Sequence, residues 1–185
     1  MKQISLNIAL ALLIFPSILL AQTRPSENVS IGTVRELNLP GCNYLCVDTQ
    51  ATLRTMGETA KIEIPKLIAA LKSADIQPRG PLVFIVEGLD ADPGAEFDLK
   101  IGIAVDDGAV APEGYEVDPL PPVECQTVLF GGPVTQMRLA FQKLMPKVRG
   151  GNAGTASSGE IREYFLYFEN ANSPNDVTLI AAVLQ

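Results

Sequence analysis

The sequence has 185 residues, 47% of them hydrophobic and 19% charged, with a formal net charge of −7. This is a globular composition, long enough for one domain with its own core, and its negative balance argues against a nucleic-acid partner, which would need cations to meet phosphates. Histidine is absent, which excludes a Ser-His-Asp triad, a Cys-His pair, a His-ligated haem and a His-containing zinc site.

The chain opens with Met1-Lys2-Gln3, followed by a nearly continuous apolar run from Ile4 to Leu20 and then Ala21. A positive start, an apolar middle and a small residue are the order of a secretory signal, with cleavage expected after Ala21. The alternative is an uncleaved anchor, although the run is short for a span and Pro16 interrupts it. Both readings place the rest of the chain in an extracytoplasmic space, periplasmic or secreted. No later stretch is long and apolar enough to span a membrane, so no transmembrane segment is expected after signal removal. Residues 22–32 are polar and aperiodic and read as a tether.

In an oxidising compartment Cys42, Cys46 and Cys125 could form at most one intrachain bridge. The candidates are Cys46–Cys125, Cys42–Cys125, or Cys42–Cys46 if residues 43–45 turn. Three free, partly buried thiols are the other reading. A metal site built on this spacing is not expected, nor is a cofactor.

From residue 33 to 185 the chain falls into two similar halves, about 33–106 and 115–185. The first begins with an extended segment from Val34 through Leu-Pro (Leu39-Pro40) and on to Leu53. Ile64, Leu67, Ile68 and Leu71 then make one apolar helical stripe, with Pro65 expected in the first turn or at a kink. Residues 75–80, holding Pro78, end that helix. Strand-like runs follow at 81–86 and 97–105. The second half repeats the order: Tyr115 through Leu-Pro (Leu120-Pro121) to Phe130, then a helix opened by Gly132-Pro133. Its buried face is Val134, Met137, Phe141, Leu144 and Val148, and Pro146 with Gly150-Gly151 is expected to close it. A Gly, Ser and Ala-rich connection over 150–159 leads to strands at 161–168 and 177–184. The expected architecture is α+β: duplicated βαββ units forming an antiparallel sheet, with two helices on one side.

Three stretches make the likeness specific. They are Gly80-Pro81-Leu82-Val83-Phe84-Ile85-Val86, Asp98-Leu99-Lys100-Ile101-Gly102-Ile103-Ala104-Val105, and Arg162-Glu163-Tyr164-Phe165-Leu166 with Val177-Thr178-Leu179-Ile180 after it. In this order and duplication the chain resembles the GyrI-like, AraC-type effector-binding family, a small-molecule-binding family found alone and fused to transcription regulators. Lys100, Ala104, Phe165 and Val86 depart from the family's usual Glu, Pro, Tyr and aromatic residue at those places.

The resemblance implies a groove between the two helices, floored by the sheet, that takes hydrophobic and often cationic ligands. The signature acid of the Arg-Glu-x-Tyr strand falls on Glu163. A carboxylate in an apolar cleft either attracts a cation or holds a proton. Strand alternation puts Phe165 and Tyr167 on the face of Glu163, and Arg162, Tyr164, Leu166 and Phe168 on the other. Repeat symmetry supplies Phe84 and Val86 as an opposite wall, with Phe130 or Met137 near the helix mouth. The competing reading makes the phenylalanines ordinary core and pairs Glu163 with Arg138 or Lys143.

The first functional reading is therefore a binder of a small apolar or cationic molecule. A second is a hydrolase on the same fold, with Glu163 as base and Tyr167 or Tyr164 as donor. A third is an envelope module that binds a protein partner along an exposed strand edge. Haem binding of the related SOUL type lacks its histidine.

Overall fold

A computed structural model describes residues 28–89, 92–150 and 157–184. The expected signal at 1–21, most of the tether and most of the 150–159 connection lie outside the described residues. No helix among the described residues is long and apolar enough to cross a membrane.

The elements run β1 (Ser30–Ile31), β2 (Arg35–Leu39), β3 (Cys42–Thr52), α1 (Met56–Ser73), β4 (Leu82–Glu87) and β5 (Glu96–Val105) in the first half. The second half runs β6 (Glu116–Leu120), β7 (Val123–Gly131), a 3-10 turn (Val134–Gln136), α2 (Arg138–Gly150), β8 (Ser157–Tyr167) and β9 (Val177–Leu184). All strands pair antiparallel in one sheet of order β1-β7-β9-β8-β4-β5-β3-β6, with β2 also paired to β7. The order is symmetric about the β8–β4 junction: β7, β9 and β8 of one half answer β3, β5 and β4 of the other.

The sheet is forced to curl. In this order β7 and β6 are six strand steps apart, which is about 29 Å in a flat sheet at ~4.8 Å per step. The chain joins them through Pro121-Pro122 alone, a link that reaches about 11 Å between flanking Cα atoms. Pro40-Gly41 makes the matching link from β2 to β3. The two links touch: a Cβ on Gly41 would lie 2.8 Å from the Leu120 carbonyl oxygen and 2.9 Å from Pro122 Cδ. Glycine is required there by close approach.

Both helices pack on one face. α1 lies against β3 and β5, and α2 against β7 and β9. The principal core fills the space between, from Leu45, Leu67 and Leu71 on one side to Phe130, Leu144 and Val148 on the other. A smaller cluster of Tyr44, Cys46, Val83, Ile85 and Leu120 occupies the opposite face, with Tyr164 beside it.

Two helix expectations need correction. α1 starts at Met56, well before Ile64, because Met56 and Ala60 extend the buried stripe toward the N-terminus. Pro65 therefore lies inside the helix, where it has no N–H to donate to the turn before it. α2 likewise runs through Pro146 instead of closing there. The end of α1 is as the sequence implies. Asp75 takes a left-handed φ of 53° and the Ile76 N–H bonds back to the Leu71 carbonyl at 2.9 Å, a helix stop.

Candidate functional site

The two central strands, β4 and β8, run between the strands that carry α1 and those that carry α2. Along β8 the alternating residues Ile161 and Phe165 face the principal core, and Glu163 between them shares that face. Register places Glu163 in a cross-sheet row reading Val128, Ile180, Glu163, Phe84 and Ile101. It is the only polar member of that row, and Phe84 is its direct cross-strand neighbour.

Glu163 is 4% exposed, and its Oε2 has no hydrogen-bond partner. The competing pairing with Arg138 or Lys143 is not formed, and Lys143 instead donates to the Ile31 carbonyl at 3.3 Å. Burial pushes the carboxyl up to about 8. In water an ionised carboxylate is well solvated, whereas here the charged form meets hydrocarbon and no compensating charge. At neutral pH the protonated form is therefore favoured.

Six of the seven expected lining residues meet in this core. Phe84 and Phe165 flank Glu163 and touch edge to face, with ring centroids 4.8 Å apart. Val86, Phe130 and Met137 are buried in the same cluster. Tyr167 is a correction. It is 51% exposed and its hydroxyl donates to Glu169 Oε1 at 2.8 Å. The cause is a register shift on β8 between Phe165 and Tyr167, which breaks strict alternation. Phe168 takes the inward place instead, its ring 6.0 Å from that of Phe165.

Sequence reasoning missed Thr178. It is 0% exposed, and its Oγ1 has no hydrogen-bond partner. It sits in the next cross-sheet row, between Phe130 on β7 and Phe165 on β8. The signal was present in the strand: Thr178 alternates with Ile180 and Ala182, both inward, so a threonine at that phase had to face the core. Asp176, two residues earlier, is also buried with an unpartnered Oδ2, while its Oδ1 accepts the Glu169 N–H at 2.7 Å.

Of the readings open for the cysteines, the candidate Cys46–Cys125 bridge is not formed, and Cys42, Cys46 and Cys125 are free thiols. Cys46 packs with Tyr44, Val83 and Leu120, whereas the Cys125 thiol donates to the Leu37 carbonyl at 3.3 Å. On the helix-free face a shallow cavity of about 220 Å3 is lined by Asp48, Ile85, Glu87, Asp98 and Lys100 among others. Lys100 is held there by Asp118 at 2.8 Å and Asp48 at 3.2 Å, so it does not approach Glu163. No group of three or more His, Cys, Asp or Glu side chains among the described residues is placed to hold a metal.

No family model and no curated protein matches the sequence. Solved structures do. The C-terminal domain of EcmrR superposes with a TM-score of 0.71 at 16% identity, over 83% of this chain and 97% of that domain. SAV2435 bound to tetraphenylphosphonium gives 0.58 at 12% identity, over 82% of this chain and 93% of that one. A hydrolase encoded by lin2189 from Listeria innocua gives 0.53 at 13% identity, over 83% and 92%. The chain has the GyrI-like effector-binding fold. Within that fold, the buried acid lies on the central strand β8, on the face that carries both helices. EcmrR in its DNA complex also matches, at TM-score 0.70 and 15% identity, but this chain spans only 57% of that chain.

Proposed function

We propose that this domain binds a small molecule with an apolar body and a cationic or hydrogen-bonding head, taken up between the two helices with its head at Glu163. One observation carries the reading: a carboxyl with an unpartnered oxygen, buried among aromatic side chains where a structural acid would be paired. Such a group is costly in the empty protein and is stabilised by a cation. Phe84 and Phe165 supply ring surface for a flat or aryl ligand. The tetraphenylphosphonium complex of SAV2435, on the same fold, supports this ligand class. The residues under the helices are closely packed, so binding must displace apolar side chains, and affinity is reduced by that opening.

The N-terminal apolar segment supports a working place outside the cytoplasm, and the net charge of −7 supports a role without nucleic acid. The test is calorimetry with tetraphenylphosphonium as probe. Wild type binds and Glu163→Gln loses at least tenfold; equal binding by the two, or none by either, removes the proposal.

A hydrolytic role has one observation in its favour, a carboxyl poised near neutrality on a fold shared with a protein described as a hydrolase. Turnover of activated esters or epoxides that disappears in Glu163→Gln would favour it over simple binding.

A further inference from the structure

Glu163 is not the only buried oxygen on this floor without a partner. Thr178 Oγ1 shares the condition, on the same face of the sheet and on the adjacent strand. Glu163 pairs with Ile180, two residues along β9 from Thr178, so the two side chains are diagonal neighbours. Such neighbours have Cα atoms about 7–8 Å apart, and their Cβ atoms are somewhat closer. They do not hydrogen-bond each other, since both atoms are unpartnered. A buried hydroxyl in an apolar row costs stability for no structural return, and valine would fill the same volume without that cost.

We infer that Glu163 and Thr178 together form a two-point anchor for a ligand head bearing N–H donors, a protonated primary amine or an amidinium on an apolar body. This rests on the Glu163 site proposed above and narrows it. Two acceptor oxygens set apart on one floor are both satisfied by a head with two or more N–H groups. A quaternary onium neutralises Glu163 but leaves Thr178 unbonded. An anionic head is repelled by the ionised acid. Asp176 also carries a buried, unpartnered Oδ2, but it stands in the turn before β9, outside the β8–β9 pairing that sets Glu163 beside Thr178.

The test uses a matched set on the full chain: 4-phenylbutylamine, its N,N,N-trimethyl derivative and its N-acetyl amide, titrated calorimetrically into wild type, Thr178→Val and Thr178→Ser. Wild type is expected to bind the amine about tenfold tighter than the trimethyl cation. Thr178→Val is expected to lose that preference by weakening the amine alone, and Thr178→Ser to retain it. Thr178→Val should also unfold at a temperature no lower than wild type, which separates lost binding from lost folding. Equal affinity of wild type for amine and trimethyl cation overturns the anchor while leaving the Glu163 site standing. So does an unchanged preference in Thr178→Val, or tighter binding of the neutral amide. Failure of folded wild type to bind any of the three overturns both.

Discussion

Arg162 and Glu163 are consecutive in the chain, and both are buried, at 1% and 4% exposure. Strand alternation sends them to opposite faces of one sheet, and there their circumstances diverge. Arg162 donates to Glu160 Oε1 and to the Pro121 carbonyl, beside the Tyr164 ring. Its charge is matched, and it ties β8 to the link that curls the sheet. Glu163 faces Phe84 and Ile180 with one oxygen unanswered. Equal burial thus goes with two different environments: Arg162 has its partners in the chain, whereas one oxygen of Glu163 has none, and the proposed site rests on that difference.

The largest expected effect comes from breaking the matched side. Arg162→Ala should cost about 3–5 kcal/mol in urea unfolding, because it removes a large, fully buried side chain together with its bonds to Glu160 and the Pro121 carbonyl. Loss below about 1 kcal/mol would show that the arginine is dispensable and the contrast false.

The unmatched side should be visible in pH. Burial raises the folded-state value of Glu163 to about 8 from the ordinary 4.5. Between these values the folded chain holds a proton that the unfolded chain has released, so stability falls as pH rises. The difference in stability between wild type and Glu163→Gln should therefore shift by on the order of 3 kcal/mol from pH 5 to pH 8, to the disadvantage of wild type. A pH-independent difference would mean that Glu163 is solvated or paired.

Much of this was readable in the residues. Binary pattern and turn chemistry located the repeated strands and helices, and alternation put Glu163 and Phe165 on a common face, while repeat symmetry offered Phe84 as an opposite wall that the register places directly beside Glu163. Tyr167 failed because a single register shift exchanges it with Phe168, and nothing in Phe165-Leu166-Tyr167-Phe168 announces a bulge. Thr178 was overlooked because β-branched threonine suits any strand, although its phase with Ile180 and Ala182 already put it on the inward face. The helix prolines misled because an internal proline is tolerated when packing holds the flanking turns.

Smaller effects sharpen the contrast. Gly102→Ala on the helix-free face should cost about 1–3 kcal/mol, because the new Cβ would lie 2.3 Å from the Tyr44 ring that covers it. Thr178→Val should stabilise the empty protein by about 1 kcal/mol by removing the unpartnered hydroxyl. Tyr167→Ala should change stability by less than about 0.5 kcal/mol and leave tetraphenylphosphonium binding as it was. A large loss there would return Tyr167 to the site.

The most direct measurement is the titration of the Glu163 carboxyl itself, by carbon-detected NMR on glutamate-labelled protein, with Glu163→Gln for assignment. In the empty protein it should titrate near 8, and with tetraphenylphosphonium bound it should move down by at least one pH unit. Titration in the ordinary carboxylate range, unmoved by the cation, would contradict the account.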